Sequence, residues 1–265
     1  MVGLFVLWGV PIGAGAEVTP PVFRDVTVTV TVTMTAGAYR YEFGVQNAPM
    51  NTLVLRWVDL DLKPGGSIFT VGAFPAATGF CGVDGNNGLA YWGPGARDRT
   101  APGHRFEGFG LSSSAPPTIR RLFVQPYLLD YLAALIAERE ANGGDLPRDE
   151  YKAIELRYIL TLKTLGPLGV TVGTLDHWDT FIGDVAEAGR LGWIAEPALL
   201  TGIQRNLTPA RQAVVARDKA TVRARLQAVI RAIKQSTPAQ RTSEGYALVL
   251  FNAQALQPAG PDPAR

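Results

Sequence analysis

Hydrophobic and polar residues alternate with a period of two through the first half of the chain. In the clearest segment, Val26 to Thr33, four valines alternate with four threonines, so one face is apolar and every residue is β-branched. Turns rich in Gly, Pro and Asn separate shorter alternating segments, which predict strands at 39–46, 52–60, 67–71, 89–92, 105–111 and 118–124. Short strands at this spacing predict an antiparallel β-sandwich over residues 17–125.

Two of these strands carry apolar faces that can be assigned from the alternation. Tyr39, Tyr41 and Phe43 share one face of the second strand. Leu53, Leu55 and Trp57 are predicted to share one face of the third.

The period of the pattern changes to 3.6 at Pro126. One helix is predicted from Tyr127 to the stop at Asn142-Gly143-Gly144, and a second from Pro147 to Gly166-Pro167. We interpret residues 126–169 as a helical connector, which either links two domains or lies on the sandwich. Further apolar stripes at helical spacing predict a four-helix module over 170–257, at 175–188, 199–214, 222–233 and 246–256. Thr242-Ser243-Glu244 is predicted to cap the last helix.

Length and composition allow one large domain or two ordinary ones, and with the change of period we predict an α+β protein of two domains. The 265 residues are 47% hydrophobic and 18% charged, which suffices for real cores. A net charge of +2 gives no overall field of the kind that binds nucleic acid, so we expect no nucleic-acid partner.

The N-terminal residues are typical of an export signal, and the alternative is a buried N-terminal strand or helix. An apolar run from Val2 to Val10 is followed by Pro11 and by Ala14-Gly15-Ala16, which predicts a signal peptide over 1–16, although Met1-Val2-Gly3 lacks the usual cation. No other run approaches the length of a membrane span. We therefore expect an extracytoplasmic chain (secreted, periplasmic or at the cell surface) without a transmembrane segment after cleavage. The Pro-rich tail 258–265 is predicted to be disordered.

The order of motifs in the first domain resembles a family. A tyrosine strand, Tyr39 to Phe43, ends near Asn47, and Tyr91-Trp92 and Pro102-Gly103 precede a segment running from Phe109 to Ser113. This order is similar to that of a β-sandwich domain in uncharacterised exported bacterial proteins. The resemblance covers about 90 residues, is carried by packing and turn residues, and implies architecture and export without an activity.

The C-terminal part, Leu175 to Leu256, also has a recognisable order of motifs. It consists of residues 191–194, the spacing of Leu207, Ala210, Asp218 and Ala220, and residues 243–248 with Asn252. This order resembles a helical module of the type called FIMAH, found at the ends of secreted and surface bacterial proteins. Two residues depart from the family pattern. Pro209 should kink its helix, and Gly245 replaces the usual Ala at a cost of up to about 1 kcal/mol. The resemblance implies an accessory or interaction module.

Motifs of catalysis are absent from the sequence. The two histidines, His104 and His177, belong to no metalloprotease or hydrolase motif, and a triad of Ser112, His104 and Asp98 lacks a nucleophile-elbow context. Asp59 and Asp61 lie two residues apart at a strand end, where paired carboxylates can act on glycosides or bind a cation. We favour a solvated strand end for this pair, and we predict no enzyme, no cofactor and no metal.

Cys81 and the segment from Asp84 to Gly88 are two further candidate sites. The lone Cys81 is predicted to be a small buried residue, because its neighbours are apolar and no disulfide is possible. The segment from Asp84 to Gly88 offers oxygens for calcium, but it lacks a closing Glu and consists of strong hairpin-turn dipeptides. We favour the turn, and the sequence leaves calcium binding open.

The segments that suggest a ligand are the aromatic strands and a basic helix. Between Asp176 and Glu196 there are five acidic residues, whereas residues 205–241 carry nine basic residues and one acidic one. We predict a binding or scaffolding protein whose partner is a cell-envelope polymer, a glycan or another exported protein. The alternatives are sugar binding on Tyr91 and Trp92, and docking on an anionic surface through the basic helix. The candidate contacts of that helix are Arg217, Arg223, Arg225, Arg231 and Lys234.

Overall fold

The computed structural model describes residues 18–63, 69–73, 79–84, 86–94 and 100–258. The predicted signal peptide, Asp98, Gly85 and residues 259–265 lie outside these ranges. Within them the chain is an α+β protein with two antiparallel sheets. Its strands are β1 (Thr27–Thr35), β2 (Ala38–Gln46), β3 (Leu55–Asp61), β4 (Phe69–Ala73), β5 (Gly79–Asp84), β6 (Leu89–Pro94), β7 (Arg105–Ser113), β8 (Pro117–Pro126) and β9 (Leu160–Pro167).

The strands are divided between a four-stranded sheet of order β1-β2-β7-β4 and a five-stranded sheet of order β5-β6-β3-β8-β9. The seven strands that the alternation predicts are all present, with ends shifted by a few residues. β5 and β9 were not predicted. The short, Gly-containing sequence of β5 gives no alternation, and the pattern of β9 was assigned to a helix.

One apolar core receives side chains from both sheets. Trp92 of β6 lies with its ring centroid 5.6 Å from that of Phe43 in β2 and 5.3 Å from that of Phe109 in β7. Tyr41 is fully buried and donates its hydroxyl to the carbonyl of Ala115 at 2.9 Å. The tyrosine strand of the sequence therefore packs in the core rather than forming an open aromatic face.

A β-bulge in β3 changes the face on which Trp57 lies. The register with β8 shifts between Leu55 and Trp57, so that Leu55 and Val58 face the core while Trp57 faces away from it. The prediction that Leu55 and Trp57 share a face is wrong for this reason. Alternation alone cannot reveal a bulge, because the extra residue inverts the pattern from that point onward.

The described helices are α1 (Leu129–Ala141), α2 (Arg148–Arg157), α3 (Leu175–Arg190), α4 (Pro197–Val215), α5 (Lys219–Gln235) and α6 (Ser243–Ala255). Side chains cap the last four of them. Thr174, Glu196, Asp218 and Thr242 each accept a hydrogen bond from a backbone N–H in the first turn. The predicted cap at Thr242 is confirmed, and α4 continues through Pro209.

The prediction of a wholly helical stretch over 126–169 is wrong. α2 ends at Arg157, and the chain then returns to the five-stranded sheet as β9, which pairs with β8 from Leu160 to Pro167. Leu160, Leu162 and Leu165 were consistent with either period. The edge of β8 decides between them, because it offers unpaired backbone groups that a strand can satisfy and a helix cannot.

A buried polar network joins the last helices to the sheet. His177 of α3 is fully buried, its Nδ1 accepts the N–H of Gly173 at 3.1 Å, and its Nε2 therefore donates to Asn252 Oδ1 at 2.8 Å. Asn252 of α6 donates to the carbonyl of Pro117 in β8 at 2.6 Å and to that of Leu248 at 2.8 Å. Burial lowers the pKa of His177, although the bond to Asn252 opposes this shift. The histidine is thus a neutral structural group.

A second contact fastens α3 to the start of β8. The carboxylate of Asp184 accepts the Thr118 hydroxyl at 2.5 Å and the Ile119 N–H at 3.1 Å. The Ile119 N–H belongs to the part of β8 that extends past Leu122, the last residue of β8 that pairs with β3. Burial raises the pKa of Asp184 to about 6, against the opposing effect of these two donors.

Cys81 is exposed rather than buried. It lies in β5, the edge strand of the five-stranded sheet, where Phe80 and Val83 are exposed as well. Apolar neighbours in sequence do not ensure burial in an edge strand, because one side of such a strand has no neighbour.

None of the helices that the structure describes is long and apolar enough to cross a bilayer.

Packing requires Gly at position 245, although Gly has a low helix propensity. A Cβ at this position would collide with the carbonyl oxygen of Trp193, which accepts the N–H of Thr242 at 2.9 Å. We expect Gly245→Ala to lower the free energy of unfolding by about 1–3 kcal/mol, as overpacking does. Gly183→Ala, in α3 with nothing near its Cβ, should instead stabilise by up to about 1 kcal/mol. Urea unfolding measures both, and a stabilising Gly245→Ala would contradict the packing argument.

The raised pKa of Asp184 predicts a pH-dependent stability. The folded carboxyl holds its proton up to about pH 6 and the unfolded one to about pH 4, so its contribution is present at pH 4 and is lost as pH rises to 6. Asp184→Asn cannot ionise. Its stability relative to wild type should therefore improve by on the order of 2 kcal/mol between pH 4 and pH 7 in urea titrations.

The control for this experiment is Gly183→Ala, which alters an exposed position of the same helix and adds or removes no ionisable group. Its stability difference from wild type should stay constant over the same pH range. A constant difference for Asp184→Asn as well would refute the assignment.

Candidate functional site

The outer face of the five-stranded sheet, which points away from the core, carries the candidate site. Register places Asp59 of β3 opposite Tyr91 of β6 and opposite Phe123 of β8, and Trp57 opposite Gln125. Their neighbours Val58 and Leu60 point into the core and are fully buried. We call the depression lined by Trp57, Asp59, Asp84, Leu89, Tyr91 and Gln125 the outer-face groove.

Two glycines let the aromatic rings pack closely against this sheet. A Cβ at Gly93 would lie 2.6 Å from Cε3 and Cζ3 of Trp57, so the indole covers that glycine. A Cβ at Gly82 would lie 2.5 Å from the Tyr91 hydroxyl and 2.7 Å from its Cζ, so the phenol ring covers the edge strand β5. The Trp57 and Tyr91 centroids are 6.0 Å apart, with the rings edge to face. The result is a half-buried aromatic surface two strands wide.

A carboxyl and an amide lie beside the rings. Gln125 Nε2 donates to Asp59 Oδ2 at 2.5 Å. Burial raises the pKa of Asp59 to about 6, although the bond from Gln125 lowers it. The Asp59 side chain is thus a strong acceptor with unused capacity above pH 6, at the floor of the groove.

Asp61, the other member of the sequence pair, is held differently. It accepts two bonds from the Arg121 guanidinium, at 2.6 and 3.1 Å, and the Lys63 N–H at 3.0 Å. These donors and the charge of Arg121 lower its pKa against the opposing effect of burial. Asp59 and Asp61 are 8% and 7% exposed, so the prediction of a solvated pair is wrong. The sheet continues on both sides of β3 and covers them.

The groove continues toward α2. A second depression shares Asp59, Leu89 and Gln125 with the first and extends past Phe123 and Thr161 to Leu156 and Ile159. The two depressions have volumes of about 360 and 470 Å³, within the range of ligand pockets. Leu156 is 58% exposed and forms an apolar wall at the end of the groove.

The candidate residues Tyr91 and Trp92 separate in the structure. Tyr91 lies in the groove, whereas Trp92 is 1% exposed and packs between Phe43 and Phe109. Trp92 is therefore wrong as a ligand contact, because successive residues of a strand point to opposite faces. Trp57 and Gln125 were missed as partners of Tyr91. The bulge places Trp57 on the face opposite to the one that alternation predicts. A single Gln in a strand belongs to no motif that would indicate a binding site.

The imagined triad is not brought together. His104 precedes β7 and Ser112 lies near its other end, which separates them by roughly 25 Å along an extended strand. The two side chains cannot exchange a proton.

The turn between β5 and β6 uses the oxygens that had suggested a cation site. Asp84 accepts the N–H groups of Asn86 and Asn87 at 3.0 and 3.1 Å and the Asn87 amide at 2.6 Å. These bonds lower its pKa. In the described part of the chain, no group of three or more His, Cys, Asp or Glu side chains is arranged to hold a metal.

The five basic residues proposed as contacts lie on or beside α5, which contains no Asp or Glu. Arg225 donates to Asn206 Oδ1 at 3.4 Å, and Arg231 and Lys234 are exposed on the last turns of α5. Arg223 is half-buried, and Arg217 lies in the turn that precedes the helix. The acidic α3 forms its ion pair with α4, through Asp179 and Arg211. Docking through α5 stays a prediction, and the structure selects no partner for it.

Comparison with protein-family models, with curated proteins and with solved structures finds no match to this chain.

The close packing of Trp57 over Gly93 can be tested by a double-mutant cycle. In the wild-type background, Gly93→Ala should cost about 1–3 kcal/mol, because the indole must lift from the sheet. In a Trp57→Ala background the same change should cost little, which gives a coupling energy of at least about 1 kcal/mol in urea unfolding. The stability effects of Gly183→Ala and Trp57→Ala should add without a coupling energy. If those of Gly93→Ala and Trp57→Ala also added in this way, the contact between Trp57 and Gly93 would be contradicted.

Proposed function

We propose that this chain is an exported, non-catalytic binding protein whose outer-face groove binds a neutral oligosaccharide. The proposed architecture is a β-sandwich formed by the two sheets, followed by a helical module formed by α3 to α6. The shared aromatic core supports the sandwich, and the apolar N-terminal run supports export.

The observation that carries the proposal is the pair of rings, Trp57 and Tyr91, which pack edge to face over Gly93 and Gly82 beside Asp59 and Gln125. A pyranose presents an apolar C–H face and a rim of hydroxyls. An indole and a phenol set edge to face can contact that apolar face, while a carboxylate and an amide beside them can accept from and donate to the rim. A site with many buried apolar contacts and few directed polar groups is typical of small-ligand recognition.

The state of the carboxyls favours binding over catalysis. Glycoside hydrolysis needs two carboxyls that face each other across the sugar. Asp61 is paired with Arg121, and the carboxylate of Asp84 is occupied by its own turn. Among the described residues of the groove, Asp59 alone combines a raised pKa with a place beside the rings.

Electrophoresis in native gels that contain a soluble polysaccharide tests the proposal, with separate gels of β-glucan, xylan, galactomannan and an acidic polysaccharide. We expect retardation in at least one neutral gel. Trp57→Ala should weaken it roughly tenfold by removing the larger ring, whereas Trp193→Ala, which removes a half-buried tryptophan of the helical part, should not.

Retardation should also weaken from pH 7.5 to pH 5, because protonated Asp59 loses acceptor capacity, and Asp59→Asn should abolish this pH dependence. No retardation in any neutral gel would overturn the proposal. A second result would also overturn it: retardation in the acidic gel alone, unchanged by Trp57→Ala and lost in Arg231→Ala/Lys234→Glu. That result would place the binding site on α5.

A further inference from the structure

The ends of four helices line a second pocket, which shares no lining residue with the outer-face groove. Trp178 of α3, Ala213 and Val214 of α4, Val222 of α5 and Leu256 after α6 line it, and its volume is about 410 Å³. We call it the helix-end pocket. Small side chains, Ala213 and Ala255, stand where larger ones would fill the space. Its lining is mostly apolar.

Two cations, Arg217 and Lys219, stand at the mouth of this pocket. Both are exposed, and their side chains form no hydrogen bond or ion pair with any described residue. An apolar cavity with unpaired positive charge at its mouth is complementary to a ligand that has an apolar chain and an anionic head.

The local structure does not account for either cation. Arg217 adopts a φ of +60° directly after α4, at the position where Gly is favoured. The bonds from Arg217 N to Val214 O and from Asp218 N to Ala213 O complete this helix ending, so the turn needs the conformation and not the arginine. Lys219 is the first residue of α5, where the helix dipole disfavours a positive charge. Both residues are thus locally unfavourable, and both lie at the pocket.

We propose that the helix-end pocket binds an anionic amphiphile, with an acyl chain in the apolar cavity and its carboxylate or phosphate on Arg217 and Lys219. The volume suits a chain of medium length. This site is independent of the sugar groove, so either proposal can fail without the other.

Isothermal titration of the full chain with laurate, below its micellar concentration, tests the proposal. We expect saturable binding, at least tenfold weaker binding of butyrate, and no binding of dodecyltrimethylammonium, which reverses the head charge. Ala255→Leu, which fills the cavity and keeps both cations, should weaken laurate binding at least tenfold. Trp57→Ala should leave it unchanged.

The diagnostic variant is Arg217→Gly/Lys219→Glu. It should weaken laurate binding at least tenfold while its thermal unfolding midpoint without ligand stays equal to or above that of wild type, because both changes favour the local backbone. A structural role for the two cations would lower that midpoint instead. Arg231→Ala/Lys234→Glu changes the net charge equally at the far end of α5, and it should bind laurate as wild type does.

Three results would overturn the proposal. Laurate binding that is unchanged in Arg217→Gly/Lys219→Glu would remove the cations from the site. Binding to vesicles of anionic phospholipid without binding to free laurate would indicate a membrane surface instead. Laurate binding only by a chain that ends at Pro258 would identify residues 259–265 as the occupant.

Discussion

The hydrogen bonds at the start of β8 are the interactions on which the rest of this structure depends. Asn252 holds the Pro117 carbonyl and His177 at the same time, and Asp184 holds Thr118 and the Ile119 N–H two residues further along. His177, Asn252 and Thr118 are buried and Asp184 is partly buried, and leaving a buried polar group without a partner costs about 1–3 kcal/mol. The side-chain polar atoms of His177 and Asn252 all form hydrogen bonds. Any shift of α3 or α6 on the sheet would break some of them, so the two helices have one position there. The helices and the sheet are thus fixed by polar contacts, while the apolar contacts around them are less directional.

The position of β8 explains why the sheet can carry a binding face. β8 lies between β3 and β9, and the C-terminal helices contact the strand at its Pro117 end. The other end of the strand carries Phe123 and Gln125, which reach the groove. Packing against helices therefore occupies one end of the strand and leaves the outer face beside Trp57, Asp59 and Tyr91 open. The two functions of β8 do not compete for the same residues.

Buried carboxyls on this sheet have different partners, and their pKa values differ accordingly. Asp61 meets a guanidinium and its pKa falls, whereas Asp59 meets a neutral amide and its pKa rises to about 6. Their spacing in sequence does not distinguish the environments of the two carboxyls. The difference comes from β8, which places Arg121 beside one and Gln125 beside the other. This pairing is what makes Asp59 a group that can respond to a ligand near neutral pH.

The sequence by itself determined the strands with strict alternation, the four C-terminal helices and the cap at Thr242, because period and capping are local properties. It also placed Tyr91 in a candidate site. Tertiary structure decided what depends on distant residues. A bulge turned Trp57 to the outer face, the free edge of β8 drew residues 160–167 into a strand, and the edge position of β5 exposed Cys81. The need for Gly245 likewise arises from a carbonyl more than fifty residues away in sequence. Such contacts are non-local, so no pattern along the chain can record them.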